Sequence, residues 1–139
     1  MAEAADRTEA APRFVAPGLV ATDAAGAARL IGGRCRACQA LSFPRAAVCT
    51  DCLSEDIEAV DLGTEGTLYS YSVVHQAPKG WRVPYAVGYV DLPGDVRVFA
   101  HLDAPHDALA IDMKMTLATA VVADDPAGAP LSSYVFKPA

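Results

Sequence analysis

Two cysteine pairs, followed by a series of short alternating segments, predict a mainly β protein for this chain of 139 residues. The pairs are C-x-x-C motifs with ten residues between them, a spacing typical of a rubredoxin-like zinc ribbon. The segments that follow alternate apolar and polar residues between glycine- and proline-containing turns, as strands do. We therefore expect an N-terminal extension over residues 1–28, a zinc ribbon over 29–60 and a five-stranded OB-fold barrel over 61–139.

The composition is that of a globular chain, with 53% apolar and 20% charged residues. Its formal net charge of −6 argues against a general nucleic-acid binder, which would present a basic face. No stretch approaches the roughly 18 apolar residues of a membrane span, and the N-terminus carries acids where a signal peptide carries Lys or Arg. We expect a cytoplasmic, reducing location, where paired cysteines bind metal more often than they form disulfides.

The N-terminal extension divides into two parts. Residues 1–13 lack apolar periodicity, which predicts a loose tail with a short helix possible. Turn residues at 22–26 separate two apolar stretches, 14–21 and 28–31, and so predict a hairpin whose second arm leads into the first cysteine pair. A helix across 19–30, which two alanine runs permit, is the alternative.

The cysteine pairs contain all four cysteines of the chain, Cys35, Cys38, Cys49 and Cys52. Two facing C-x-x-C turns supply the four sulfurs of a tetrahedral zinc site, and four thiolates leave no position for water activation. Between the pairs, residues 40–45 predict a short strand that Pro44 ends. So small a segment needs the binding free energy of zinc, about 10–16 kcal/mol in zinc peptides, to fold. A disulfide framework is the competing interpretation.

The segment around the cysteines is locally basic. Residues 29–52 carry one acid, Asp51, against four arginines, which are Arg29, Arg34, Arg36 and Arg45. The charge pattern therefore indicates a basic module on an acidic chain. These arginines either balance the formal −2 charge of a tetrathiolate zinc site or form an anion site.

Residues 66–75 alternate with a period of two. The pattern places Leu68, Ser70, Ser72 and Val74 on one face of a strand, and Tyr69, Tyr71, Val73 and His75 on the other. Four further strands are predicted, at 84–92, 96–102, 114–122 and 132–137. The second and third form a hairpin, and Gly88 marks a bulge or a sharp bend.

The connections between these strands are unequal in length. Residues 104–113 hold a short helix or turn at most, and residues 124–130 form the loop between the last two strands. Five short strands with a longer excursion between the third and fourth match a small Greek-key barrel of the OB type.

The sequence contains no evident catalytic constellation. None of the three histidines, His75, His101 and His106, has a Ser or Cys nucleophile as an evident partner. His75 and His101 alternate with apolar residues, so we expect both in the barrel wall. The nucleophile-elbow, Walker and dinucleotide-binding glycine patterns are all missing from the sequence.

The loop over residues 76–85 stands out because it contains the sole tryptophan, Trp81, with Lys79 and Arg82 beside it. Trp81 offers a flat surface to an adenine ring or to an apolar pocket of a partner. The two cations suit a phosphate or a carboxylate. The other interpretation is a surface loop that Trp81 braces against the barrel.

Taken in order, these motifs resemble a family of zinc-ribbon plus OB-fold proteins, the DUF35 type. The resemblance covers roughly residues 29–122. It rests on Gly-Arg-Cys-Arg-Ala-Cys at 33–38, Phe-Pro-Arg at 43–45, Val-Cys-Thr-Asp-Cys at 48–52, Gly-Thr-Leu-Tyr-Ser-Tyr-Ser-Val-Val-His at 66–75, Ala-Pro-Lys-Gly at 77–80, Pro-Tyr at 84–85 and Val-Asp-Leu at 90–92. Members are small non-catalytic subunits or fused domains that associate with thiolase-fold enzymes or with hot-dog-fold enoyl-CoA hydratases.

The resemblance implies a non-catalytic subunit with structural zinc on the four cysteines. It implies docking on a thiolase-fold catalytic subunit, in a two-plus-two hetero-oligomer, with a CoA thioester at or near the shared site and no nucleic-acid or membrane partner. The terminal extensions are similar to those of accessory subunits of aromatic acyl-CoA thiolases. The residues expected to contact the partner or CoA are Arg36, Arg45, Lys79, Trp81 and Arg82.

Three other functions remain open from the sequence. The partner can instead be a hot-dog-fold enoyl-CoA hydratase. A single-stranded nucleic-acid binder would stack bases on Trp81, Tyr69 and Tyr71, but residues 53–139 carry twelve acids against five bases. A rubredoxin-like electron carrier would hold iron in the same four-cysteine site, although the flanking residues give it no support.

Overall fold

The structure, a computed structural model, describes residues 13–139, so the predicted tail lies outside the described residues except for Arg13. Over these residues the chain is almost entirely β. Its elements are β1 (Val20–Thr22), β2 (Ala28–Cys35), β3 (Leu41–Ser42), β4 (Ile57–Asp61), β5 (Glu65–Val74), β6 (Tyr85–Leu92), β7 (Val96–Leu102), a 3₁₀ helix (His106–Ala108), β8 (Lys114–Asp124) and β9 (Pro130–Pro138). Within the described part of the chain, no helix is long and apolar enough to span a membrane.

Strands β1 and β2 form the hairpin that the sequence predicted, with Val20 opposite Leu30. The Asp23 carboxylate accepts hydrogen bonds from the backbone N–H groups of Ala25 and Ala27, both at 2.9 Å. An aspartate that bonds the backbone in this way favours a turn over a helix. The alternative of a helix across residues 19–30 is therefore wrong.

Strand β2 is the centre of the first sheet, because β1, β3 and β4 all pair with it. Strand β4 is not among the strands that the sequence predicted. It pairs antiparallel with β2 from Ile31 opposite Asp61 to Cys35 opposite Ile57. The chain thus runs back along β2 as β4 before it enters the barrel.

Strands β5 to β9 close into a barrel in the order β5-β6-β7-β9-β8. All neighbouring strands are antiparallel except β7 and β9, which are parallel. This is the predicted five-stranded OB-type barrel, and the excursion between β7 and β8 holds only the short 3₁₀ helix. The barrel core is built from the fully buried side chains Leu68, Val90, Val98, Met115 and Phe136.

The ribbon sheet and the barrel share one apolar core. Leu30 of β2 and Leu62, which follows β4, belong to the same buried cluster as the barrel residues. Phe43, after β3, packs edge-on against Tyr134 of β9 with ring centroids 5.3 Å apart. The two modules are therefore packed together and not merely linked by the chain.

The predicted faces of β5 are wrong beyond Leu68. A bulge between Leu68 and Ser70 inserts one extra residue, so that Ser70 lies opposite Tyr89 and Tyr71 lies opposite Gly88. Tyr69 and Tyr71, which the alternation placed together, are separated by it. Gly88 itself is not at a bulge; a Cβ there would contact the carbonyl oxygen of Ser70, so the residue permits close approach of β5.

We expect Gly88→Ala to destabilise the barrel by about 1–3 kcal/mol, because the added methyl group overpacks the contact with β5. The free energy of unfolding from urea titration measures this. The matched control is Gly63→Ala, whose Cβ would meet only Pro93, at 3.3 Å. Equal stabilities for the two variants would contradict the close approach.

Candidate functional site

The four cysteine sulfurs converge at one end of the ribbon. Cys35 ends β2, Cys38 lies in the turn that follows, and Cys49 and Cys52 lie in a second turn before β4. Each Sγ atom lies within 4.8 Å of the others. The Cys35–Cys52 and Cys38–Cys49 Sγ distances are 3.5 and 3.6 Å. Tetrahedral coordination with metal–sulfur bonds of about 2.3 Å separates the sulfurs by about 3.8 Å, so this donor set fits such a metal.

The two cysteine turns have the same backbone geometry. In the first, the N–H of Gln39 donates to the carbonyl of Cys35 at 2.8 Å; in the second, the N–H of Leu53 donates to that of Cys49 at 2.9 Å. Gln39 and Leu53 hold equivalent left-handed conformations, with φ of 72° and 67°. The sequence predicted paired tight turns, and this geometry confirms them.

The electrostatics of the sulfur cluster favour a bound cation. The backbone N–H of Cys38 is the main cause that lowers the pKa of Cys35 to about 6, against the effect of burial. At Cys38 the N–H of Ala40 favours the thiolate, but the Cys49 thiol and burial outweigh it and raise the pKa to about 12. The Cys35 thiol therefore ionises readily, while the neighbouring Cys38 thiol resists ionisation. A divalent cation would offset the negative charge of the thiolates.

The ribbon is not a basic module in space, and that interpretation of the charge pattern is wrong. Strand β4 brings acids beside the arginines: Arg34 pairs with Glu58 at 2.9 Å, and Arg29 with Asp61 at 3.3 Å. Arg36 lies 3.6 Å from Glu58 as well as 3.7 Å from Asp56. The positive excess over residues 29–52 disappears once residues 53–61, which carry four acids and no base, are counted with the ribbon.

Arg45 has a structural contact within the ribbon. Its Nη2 donates a hydrogen bond of 2.6 Å to the carbonyl oxygen of Ile57. A Cβ on Gly33 would lie only 2.8 Å from the Arg45 Cγ, so Gly33 leaves room for the arginine stem. Arg45 thus joins the segment between the cysteine pairs to the start of β4.

The Trp81 loop is fixed against the barrel. Trp81 forms a β-bridge with Ala123 of β8, and its ring stacks on His101 with centroids 5.6 Å apart. His101 stacks in turn on Tyr85, at 4.5 Å. Arg82 makes two hydrogen bonds to the Asp124 carboxylate, of 3.0 and 2.7 Å. These contacts agree with the interpretation in which Trp81 braces a surface loop against the barrel.

The remaining predicted site residue, Lys79, lines a pocket with Gly80, Asp124 and Asp125. The structure therefore groups Lys79, Trp81 and Arg82 on one barrel loop, and it keeps Arg36 and Arg45 on the ribbon with the cysteines. Asp124, which pairs with Arg82 from β8, was not predicted from the sequence as a neighbour of this loop. Only the strand register, which pairs β5, β6 and β7, brings Tyr85 and His101 to one surface.

Of the two histidines expected in the barrel wall, His101 lies there, in β7, whereas His75 follows the end of β5 and is exposed, so the prediction for His75 is wrong. The side chain of His101 is half-buried, and burial lowers its pKa. Its Nε2 is buried and has no hydrogen-bond partner among the described residues. The rings of Trp81 and Tyr85 cover part of the imidazole.

The segment before β1 runs along the barrel. Val15 donates a backbone hydrogen bond of 2.8 Å to the carbonyl of Ser132, and Ser132 donates one of 2.6 Å to that of Arg13. The Arg13 guanidinium also pairs with Asp125 at 2.7 Å, and this ion pair is the main cause that lowers the pKa of that carboxyl. The N-terminal segment thus lies against β9.

Comparison with known proteins finds two adjoining family models. Residues 22–58 match the ChsH2 rubredoxin-like zinc ribbon domain, and residues 59–120 match the ChsH2 C-terminal OB-fold domain. The chain is 37% identical to the benzoylsuccinyl-CoA thiolase subunit BbsA of Thauera aromatica, over 89% of this chain and 87% of that subunit.

Two further similar proteins are named as parts of other enzymes, a hydratase and an aldolase. A probable enoyl-CoA hydratase alpha subunit of Thermomonospora curvata is 36% identical over 68% of this chain, but the match spans only 30% of that subunit. Among solved structures, the Ltp2-ChsH2(DUF35) aldolase matches with a TM-score of 0.64 and 33% identity, over 79% of this chain and 84% of that one.

We expect Cys38→Ser to lose the metal and the order of both cysteine turns, because three thiolates leave the tetrahedral set incomplete. Metal content by plasma mass spectrometry should fall from about one equivalent to near zero. Asp51→Ser, in the second turn, is the matched control and should keep its metal. A Cys38→Ser protein that retains one equivalent would show that this sulfur is not a ligand.

We also expect His101 to make stability depend on pH. Because its folded-state pKa is lowered, the unfolded chain binds more protons as the pH falls below about 6.5. The stability that neutral His101 contributes is fully present above about pH 6.5 and is lost as the pH falls from there toward the lowered folded-state pKa. Urea midpoints measured at about pH 7.5 and 5.5, at equal metal content, should differ less for His101→Gln than for the wild type.

The control for this measurement is His106→Gln, which changes an exposed histidine in the 3₁₀ helix and should keep the wild-type pH dependence. If His101→Gln loses as much stability on acidification as the wild type does, the buried imidazole is not responsible.

Proposed function

Because this chain belongs to the ChsH2 family of zinc-ribbon and OB-fold proteins, we propose that it is a non-catalytic accessory subunit of a thiolase-fold enzyme. The observation that carries the proposal is the similarity to BbsA, which extends over 89% of this chain and 87% of that thiolase subunit. A match of this extent includes both modules in the same order. The catalytic chemistry would then belong to the partner.

We assign a structural Zn²⁺ to Cys35, Cys38, Cys49 and Cys52. The sulfur geometry supports this, since all four atoms lie within 4.8 Å of one another. When bound, zinc would supply a cross-link between the two turns and no reaction chemistry. The cysteines would hold the ribbon rigid at the end of β2.

The accessory role would consist of docking on the catalytic subunit and completing or stabilising its acyl-CoA site. The Trp81 loop supports this, because its stacking on His101 and the Arg82–Asp124 ion pair order it before any partner binds. A preorganised surface loses less conformational entropy on association. We propose a two-plus-two assembly, with the CoA thioester at or near the interface.

A second candidate partner is an enoyl-CoA hydratase of the hot-dog fold. It is favoured by the similarity to a probable enoyl-CoA hydratase alpha subunit, in which the matched region is 30% of the length. In that relative the two modules are part of a larger chain. The identity of the protein that assembles with this chain separates the two candidates.

The test is co-expression of this chain with the thiolase-fold protein encoded nearest to it in its own genome. We expect one complex with equal amounts of the two subunits on size-exclusion chromatography, and thiolase activity that requires both. Separate elution together with full activity of the partner alone would contradict the proposal. Elution with a hydratase instead would favour the second candidate.

Within that complex, we expect Trp81→Ala to raise the dissociation constant by about tenfold, because aromatic side chains anchor interfaces. Isothermal titration of the purified subunits measures it, with circular dichroism to verify folding. His106→Ala, a change at an exposed histidine away from the loop, should bind as the wild type does. Unchanged binding by Trp81→Ala would limit Trp81 to bracing the loop.

A further inference from the structure

Three aromatic side chains lie exposed on the outer face of the adjoining strands β5, β6 and β7. The exposed fractions are 51% for Tyr69, 42% for Tyr89 and 51% for Phe99. Tyr89 and Phe99 are paired directly across β6 and β7, with ring centroids 5.1 Å apart. Tyr69, the extra residue of the β5 bulge, lies beside them. We call Tyr69, Tyr89 and Phe99 the aromatic stripe.

The aromatic stripe carries no net charge. The Arg97 guanidinium lies 3.5 Å from the centre of the Tyr69 ring. The same guanidinium makes two hydrogen bonds, of 2.6 and 3.1 Å, to the Asp91 carboxylate. Because this cation is already paired, the stripe offers rings without the free positive charge that a nucleic acid backbone requires. The net charge of −6 also opposes a polyanion, so the chemistry fits an apolar protein surface.

The aromatic stripe is continuous with the Trp81 loop. Along β6 and β7 the next outward pair after Tyr89 and Phe99 is Val87 opposite His101, and Trp81 stacks on His101. A partner seated on the stripe would therefore also reach Trp81. This continuity joins the strand face to the loop that the proposed function already uses.

The size of the aromatic stripe indicates what kind of partner covers it. An aromatic side chain buries about 150–250 Å², so three half-exposed rings present on the order of 300 Å². That matches the largest apolar patch of a typical monomer, which is often functional. Two copies placed stripe against stripe would bury on the order of 600 Å², about half of the 1,200 Å² that a specific interface needs. A partner that covers the stripe together with the Trp81 loop buries a larger area and is favoured for that reason.

We propose that the aromatic stripe is the centre of the surface on which the thiolase-fold catalytic subunit docks, with the Trp81 loop at its edge. This inference rests on the proposed function and adds the docking face to it. The partner surface is accordingly flat and apolar opposite Tyr89 and Phe99, with polar groups near the Asp91–Arg97 ion pair. Charged residues are typically depleted at the centre of such interfaces and aromatic residues are enriched.

The test compares two variants in the co-expressed complex. The first, Tyr89→Thr with Phe99→Thr, removes both rings while threonine keeps the preference of a strand. The matched control is Ile111→Thr, which removes an apolar side chain of similar exposure, 53%, outside the stripe. We expect the double variant to weaken the complex by at least about tenfold, and Ile111→Thr to change it by less than about twofold. Melting temperatures of the free variants verify that each is folded.

The possible results distinguish failure of the docking face from failure of the proposed function. If the double variant is folded and assembles like the wild type, the docking face is wrong while the proposed function stands. If the wild-type chain does not assemble with the catalytic subunit at all, the proposed function itself fails. Two observations on the chain alone would also overturn the docking face. One is a homodimer that dissociates in the double variant, and the other is oligothymidine binding that the same two changes abolish.

Discussion

The pairing of β2 with three other strands is the constraint on which the rest of the structure depends. At Gly33 and Arg34, β2 is flanked by β3 on one side and β4 on the other, and its first residues form the hairpin with β1. Its last residue, Cys35, is the first of the four converging sulfurs, while its Leu30 is fully buried in the core that the barrel shares. One strand therefore couples the geometry of the metal centre to the packing of the barrel. A metal bound at its end would stabilise both modules, since neither can shift along β2 without disturbing the other.

Much of this fold could be predicted from the sequence, because the signals are local. The C-x-x-C spacing, the turn residues and the period-two strands each depend on neighbours in the chain, and they agree with the structure except for the faces of β5 beyond Leu68. Strand β4 escaped prediction because Ile-Glu-Ala-Val-Asp has only a weak alternation and its partner lies more than twenty residues earlier. The pairing of arginines with β4 acids was missed for the same reason. Charge counted along the chain does not describe charge in space.

For the candidate surfaces, too, features set by neighbouring residues could be predicted and contacts between distant residues could not. The cysteine set was readable from spacing alone, and so was the unusual content of the Trp81 loop. What could not be read is the environment of that loop: Arg82 meets Asp124, 42 residues away, and Trp81 meets His101 through the register of three strands. Nor did the alternation reveal the exposed pair of Tyr89 and Phe99. Their outward position follows from the barrel, in which Val90 and Val98 take the inward places.

The bulge in β5 has a consequence for how this barrel tolerates changes in chain length. Deleting the extra residue, Tyr69, would give unbroken alternation that leaves Ser70 opposite Tyr89, and Tyr71 and Val73 opposite Gly88 and Ala86, as they are with the bulge. A one-residue insertion between Ser70 and Val74 would instead turn the residues beyond it to the opposite face. The loop of residues 125–129 lies beyond the last pair of β8 and β9, Asp124 and Pro130, and Gly128 in it has open space around it. Changes in chain length should therefore accumulate in that loop over evolution and, within β5, at the bulge.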